Sequence, residues 1–145
     1  MTIKPRVVRA LRDARTRMRD VAAAAHSTTT AARAHSAQQL ADHQHALEAA
    51  LDGATPTLAA ARHIYELDRV AEDTGVYRLA VVDAGSAHHQ AVVANDVTGD
   101  KLRERTRQLR TAERLVEMVD DVRAKREATA EQRSCDDLAS TGRRT

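Results

Sequence analysis

Residues 5–25 read PRVVRALRDARTRMRDVAAAA, and a spacing of alternating four and three residues runs through them. Val7, Leu11, Ala14, Met18, Val21 and Ala25 follow it, and Thr28, Ala32, His35 and Gln39 carry it on. One residue later it resumes as Leu40, Gln44, Leu47, Leu51 and Ala54. Steps of three and four average about 3.5, the repeat of a left-handed coiled coil. The slip at Leu40 reads as a phase break that distorts such a coil locally without ending it. Pro5 suits a first helical turn, where a missing N–H costs nothing. A first helix is therefore expected over about residues 5–52.

Gly53 is the expected stop of that helix, and Thr55-Pro56 reads as an N-cap followed by a first helical residue. A short amphipathic helix over about 56–73 would carry Leu58, Ala61, Ile64 or Tyr65, Leu67 or Asp68, and Ala71, with Asp73-Thr74-Gly75 ending or kinking it. Residues 76–94 admit two readings. Val76–Val82 and Gln90–Ala94 have strand character around a turn at Asp83–Ser86; alternatively a helix puts Tyr77, Val81, Ala84, His88 and Ala91 on one face. The helix is preferred, because an isolated two-stranded hairpin is marginal in water. Further on, Leu102, Leu109 and Val116 recur every seven residues with Ala112 and Val119 between them. The long helix is expected over about 76–139, polar all round beyond Val122, with 142–145 a disordered tail.

Composition agrees with this all-α reading. Among 145 residues there are 29 Ala, no Phe or Trp, and only Tyr65 and Tyr77 as aromatics. Aromatics carry much of a normal core's burial, so a thick globular core is excluded. Five Gly and two Pro leave few turns, and charged residues make up 30%, a composition of long helices. The expected fold is one domain over 1–141: a long antiparallel two-helix coiled-coil hairpin with a short intervening helix. Net charge is +2 but uneven: residues 55–100 hold three basic and seven acidic groups, while 101–145 hold twelve and nine. The half bearing both termini is basic through Arg9, Arg12, Arg15, Arg107 and Arg110 among others, and the turn end is acidic. Such a layout suits local electrostatic docking.

Little in the chain points to catalysis. The seven His include His43-x-His45 and His88-His89, but residues two apart point to different helix faces, and no metal-binding motif is present. His35 and His88 fall on the expected seam. The single Cys135 excludes an intrachain disulfide and fits a reducing compartment. No Gly-rich phosphate loop exists, and no frame would converge Ser, His and Asp. The chain is read as a non-enzyme without cofactor, metal or small-molecule substrate.

The stretch Leu102-Arg-Glu-Arg-Thr-Arg-Gln-Leu109-Arg-Thr-Ala-Glu-Arg-Leu115-Val-Glu carries a resemblance. It is followed by Arg123-Ala-Lys-Arg126-Glu and by Glu131-Gln-Arg-Ser-Cys-Asp136-Asp137-Leu138-Ala139. Together these resemble the end of the FliJ/YscO family, the coiled-coil stalk proteins of flagellar and other type III export machines. The basic, Ala-rich opening is similar to theirs as well. The departures are Gly75, Gly85 and Gly99 in the second helix and the scarcity of aromatics. The resemblance implies a helical hairpin whose termini-bearing end docks in the ring of the export ATPase hexamer, for which Arg9, Arg12, Arg15, Arg107 and Arg110 are the candidates. It implies that the turn region contacts the cytoplasmic domain of the export gate, with Leu47, Leu51, Ile64, Tyr65 and Leu67 as candidates. For Leu47 and Leu51 a place in the hairpin seam is the better expectation. Export chaperones are further expected partners. The location would be cytoplasmic, peripheral to the inner membrane through the export apparatus, and the chain alone would be a monomer. Two rival readings remain: a basic helical nucleic-acid-binding protein, and a generic dimerising coiled coil.

Overall fold

The computed structural model describes residues 4–141, with side chains through residue 136. It is all-α, an antiparallel hairpin of two helices: α1, Pro5–Ala60, and α2, Ile64–Thr141. No strand occurs among the described residues, so the segment 76–94 is helical. The expected tail at 142–145 lies outside the described residues.

The chain divides into two compact units. One pairs the start of α1, through Ala22, with α2 from Leu102 onward; the other spans Ala23–Lys101 and contains the turn. In the first, the terminal unit, Val8, Leu109 and Ala112 are buried. In the second the buried polar residues are Ser36, Thr74 and Asn95. Among the described residues no side chain is completely buried.

The expected short intervening helix is not a separate element. α1 runs through Gly53 and Pro56 to Ala60, and α2 starts at Ile64 and runs through Asp73-Thr74-Gly75. Among the described residues none adopts a positive φ, so Gly53 does not terminate a helix in the left-handed conformation. Thr55, expected as an N-cap, instead donates its hydroxyl back to the Leu51 carbonyl at 3.0 Å. A glycine inside a helix costs about 1 kcal/mol, and Pro56 has no N–H for the Asp52 carbonyl, yet α1 continues through both. The reversal occurs at 61–63. There the Glu66 carboxylate accepts from the backbone N–H of Arg62 at 2.8 Å and of His63 at 3.3 Å. This is the reach-back half of a capping box, with Glu66 at the third position of α2. His63 stacks on Tyr65 with ring centroids 5.3 Å apart.

The register of α1 also differs from the spacing expected. Val7, Leu11, Ala14, Met18, Val21, Ala25, Thr28, Ala32, His35 and Gln39 are all exposed. The covered positions lie one residue further on: Val8, Arg12, Arg15, Arg19 and Ala22 in the terminal unit, then His26, Thr29, Ser36, Leu40, Leu47, Ala50 and Ala54 in the other. They keep a repeat of three and four with no slip at Leu40, interrupted where Arg33 and His43 are exposed. On α2 the expected face is the observed one: Tyr77, Val81, Ala84, His88 and Ala91 in one unit, Leu102, Leu109, Ala112, Val116 and Val119 in the other, and of these only Tyr77 is exposed.

A polar seam has local physical support. Thr29 and Thr30 both donate to the His26 carbonyl, and Thr74 to that of Val70. Their hydroxyls are therefore satisfied within the helix before any cross-helix bond is made. Small side chains admit a close approach: a Cβ built on Gly99 would lie 3.4 Å from His26 Cε1.

Candidate docking surfaces

In the terminal unit the five arginines chosen from the sequence do not form one surface. Arg9 pairs with Asp120 of α2 at 2.9 Å. Arg12 folds onto its neighbour Asp13 at 2.7 Å, and Arg15 Nη1 donates to Gln108 Oε1 at 2.5 Å. Arg12 and Arg15 are half-buried seam residues. Arg19 and Arg105 join them there: Arg19 pairs with Asp20 at 2.7 Å, and Arg105 Nη1 reaches Gln108 Oε1 at 3.1 Å and Met18 Sδ at 3.7 Å. The Nε of Arg19 is buried with no partner among the described residues. Four guanidiniums in a helix–helix seam stand in for apolar knobs, and the long methylene stems of Arg supply the packing.

Arg107 and Arg110 behave differently. Both are exposed, as are Arg103 and Arg114. The spacing of four, three and four residues puts all four on one outward face of α2. This stripe is directed away from the seam positions Leu102, Arg105, Leu109 and Ala112. It gathers four guanidiniums on one exposed face of α2. Beyond Asp120, every side chain from 121 to 136 is exposed, including the free thiol of Cys135. Arg123 holds Glu127 at 2.6 Å one helical turn on, and that hydrogen bond is the main reason its pKa is raised above the usual guanidinium value.

Around the turn, Ile64, Tyr65, Leu67 and Leu51 are exposed and Leu47 is half-buried in the seam. Leu58, Val76 and Leu79 add further exposed apolar surface there. A groove of about 850 Å³ opens beside the turn, lined by Gly53, Ala54, Ala61, Tyr65, Arg69 and Tyr77 among others. Its small side chains leave room, and its two tyrosines give it flat walls.

The chain matches no family model, no curated protein and no solved structure. Among the described residues no three His, Cys, Asp or Glu side chains converge to hold a metal ion. His88 is in the seam, with Nδ1 3.1 Å from the Ser36 hydroxyl, whereas His35 is exposed. His26 Nδ1 lies 3.3 Å from Thr98 Oγ1, a seam position that the apolar spacing did not reveal. No helix of the described residues is long and apolar enough to cross a membrane.

Proposed function

We propose that this chain is a non-enzymatic adaptor, the central stalk of a type III protein export apparatus of flagellar or virulence type. The observation that carries the reading is the outward stripe Arg103, Arg107, Arg110 and Arg114, which falls inside the segment that resembles the FliJ/YscO close. Such a stripe gives long-range, orientation-tolerant attraction to an acidic partner, as a stalk turning against a ring requires. The partner at this end is the export ATPase hexamer. The exposed Ile64, Tyr65 and Leu67 beside the turn serve the cytoplasmic domain of the export gate, with export chaperones as further partners. The protein then works in the cytoplasm, peripheral to the inner membrane.

The test is turnover of a cognate hexameric export ATPase with the purified chain added. The expected result is stimulation, lost in the Arg107→Glu, Arg110→Glu double variant while circular dichroism is unchanged. Absence of both binding and stimulation by the unaltered chain would overturn the reading. The same arginine stripe favours one other reading, contact with a nucleic-acid backbone. That reading requires affinity for duplex DNA to fall steeply with salt, with a log–log slope of about −0.9 per phosphate contacted.

A further inference from the structure

We infer that one flank of the terminal unit docks an acidic amphipathic helix of a different protein, and that Arg15 and Arg105 receive a carboxylate carried by that helix. The two guanidiniums converge. Arg15 Nη1 lies 2.5 Å and Arg105 Nη1 3.1 Å from the same atom, Gln108 Oε1. That oxygen is neutral, and the Gln108 amide nitrogen donates to Glu104 at 2.8 Å. A carboxylate answers the charge of a guanidinium as well as its N–H groups, which an amide oxygen does not. The pair is thus set around the place of an oxyanion, and in the chain alone an amide oxygen occupies that place.

The pair opens on an apolar flank. Arg105 Nη1 also lies 3.7 Å from Met18 Sδ. Met18 and Gln108 each precede a seam residue by one, Arg19 and Leu109, so the positions that precede the seam lie on this side of the helix pair. On α1 they are Val7, Leu11, Ala14, Met18 and Val21, and on α2 they include Leu115 and Met118, all exposed. The α1 steps of four, three, four and three repeat the heptad. A docked helix matches that repeat over about 20 Å.

Charge selects the occupant. Residues 4–22 and 102–120 include six acidic side chains. Asp13, Asp20, Glu113, Glu117 and Asp120 each follow a seam residue by one. They lie on the opposite side, where Asp120 pairs with Arg9 and where Asp13 and Asp20 draw Arg12 and Arg19. Glu104 alone precedes a seam residue, so two guanidiniums share the flank with one carboxylate. A second copy set flank to flank would bring four guanidiniums together against two carboxylates, and like charge opposes that pairing. A helix with Glu or Asp beside its apolar positions supplies what the flank lacks. Arg103 and Arg110 follow Leu102 and Leu109. The outward stripe therefore lies off this flank, and the inference is independent of the proposed export role.

The experiment uses the full chain and, as probe, a labelled peptide of about three heptads with Leu at the core positions and Glu at the flanking ones. A second peptide has Lys in place of each Glu. Fluorescence anisotropy should show micromolar binding of the Glu peptide and at least tenfold weaker binding of the Lys peptide. Arg15→Gln with Arg105→Gln should weaken the Glu peptide at least tenfold. Arg107→Gln with Arg110→Gln removes the same charge and should leave binding within about twofold. If the first double variant loses helicity, cross-linking decides. With Cys135→Ser, Met18→Cys should form a disulfide with a peptide bearing one central cysteine, and Arg17→Cys, on the outward face, should not. Equal binding of the two peptides, binding of neither, an equal loss in Arg107→Gln with Arg110→Gln, or equally fast cross-linking through Arg17→Cys would each overturn the inference. So would binding to phosphatidylglycerol vesicles that Leu11→Asp abolishes while the Glu peptide stays unbound, a result that assigns the flank to a membrane surface.

Discussion

Asn95 Oδ1 accepts a hydrogen bond from Thr30 Oγ1 at 2.9 Å across the hairpin, with Thr29 Oγ1 a second donor at 3.3 Å. Asn95 is buried, and each threonine shares its single hydroxyl proton between Asn95 Oδ1 and the His26 carbonyl. A polar group at one seam position specifies register at a cost in stability. Both threonines also bond the His26 carbonyl, so removing Asn95 strands neither. Asn95→Leu is expected to raise unfolding free energy by about 1 kcal/mol. It is also expected to admit disulfides between cysteines placed one heptad out of register. Urea unfolding reads the first effect, and cross-linking yield the second.

The α1 register makes adjacent valines unequal. Val8 is 5% exposed and Val7 61%. Val8→Ala is expected to cost about 1–2 kcal/mol, and Val7→Ala in dilute protein less than about 0.5 kcal/mol. Paired chemical denaturation curves measure this difference, and equal costs would contradict the seam described.

The glycines inside the helices divide by what lies above them. Nothing stands within 4 Å of a Cβ at Gly53 or Gly75, whereas His26 stands 3.4 Å from one at Gly99. Gly53→Ala and Gly75→Ala should each stabilise by about 0.5–1 kcal/mol through helix propensity. Gly99→Ala should gain less, because His26 must shift from Thr98. Thermal midpoints of the three variants give the order.

The Glu66 side chain satisfies two backbone N–H groups at the reversal. Glu66→Ala should cost about 1 kcal/mol, and Glu66→Gln should recover part of it, since an amide oxygen still accepts. Denaturant midpoints for the two variants test the cap.

The all-α class and the α2 face were legible because Leu102, Leu109 and Val116 recur every seven residues and are covered, Leu109 fully and the other two by half. On α1 those two properties separate. Val7, Leu11, Met18 and Val21 form the more apolar stripe, yet Val8, Arg12, Arg15 and Arg19 take the seam, where stems and amides of the facing helix can accommodate guanidiniums. Hydropathy spacing does not see such packing. The reversal lies beyond Gly53 for a related reason. Glycine and proline weaken a helix locally, but the chain turns where a cap replaces the lost bonds, and the signal for that was Glu66 rather than Gly53 or Pro56. Of the candidate docking residues, the exposure of Arg107 and Arg110 follows from the apolar spacing of α2. The local engagement of Arg9, Arg12 and Arg15 does not, since it depends on which α2 residues lie opposite.

The uncovered stretch from 121 to 136 has a consequence for solution experiments. With every side chain in water, its amides are held by the helix alone, and an unsupported helix of that length is marginal. Deuterium should enter these amides faster than those around Leu109 and Ala112. An incoming molecule that settles on this stretch would then announce itself as newly slowed isotope uptake, against a background with almost no protection to obscure it.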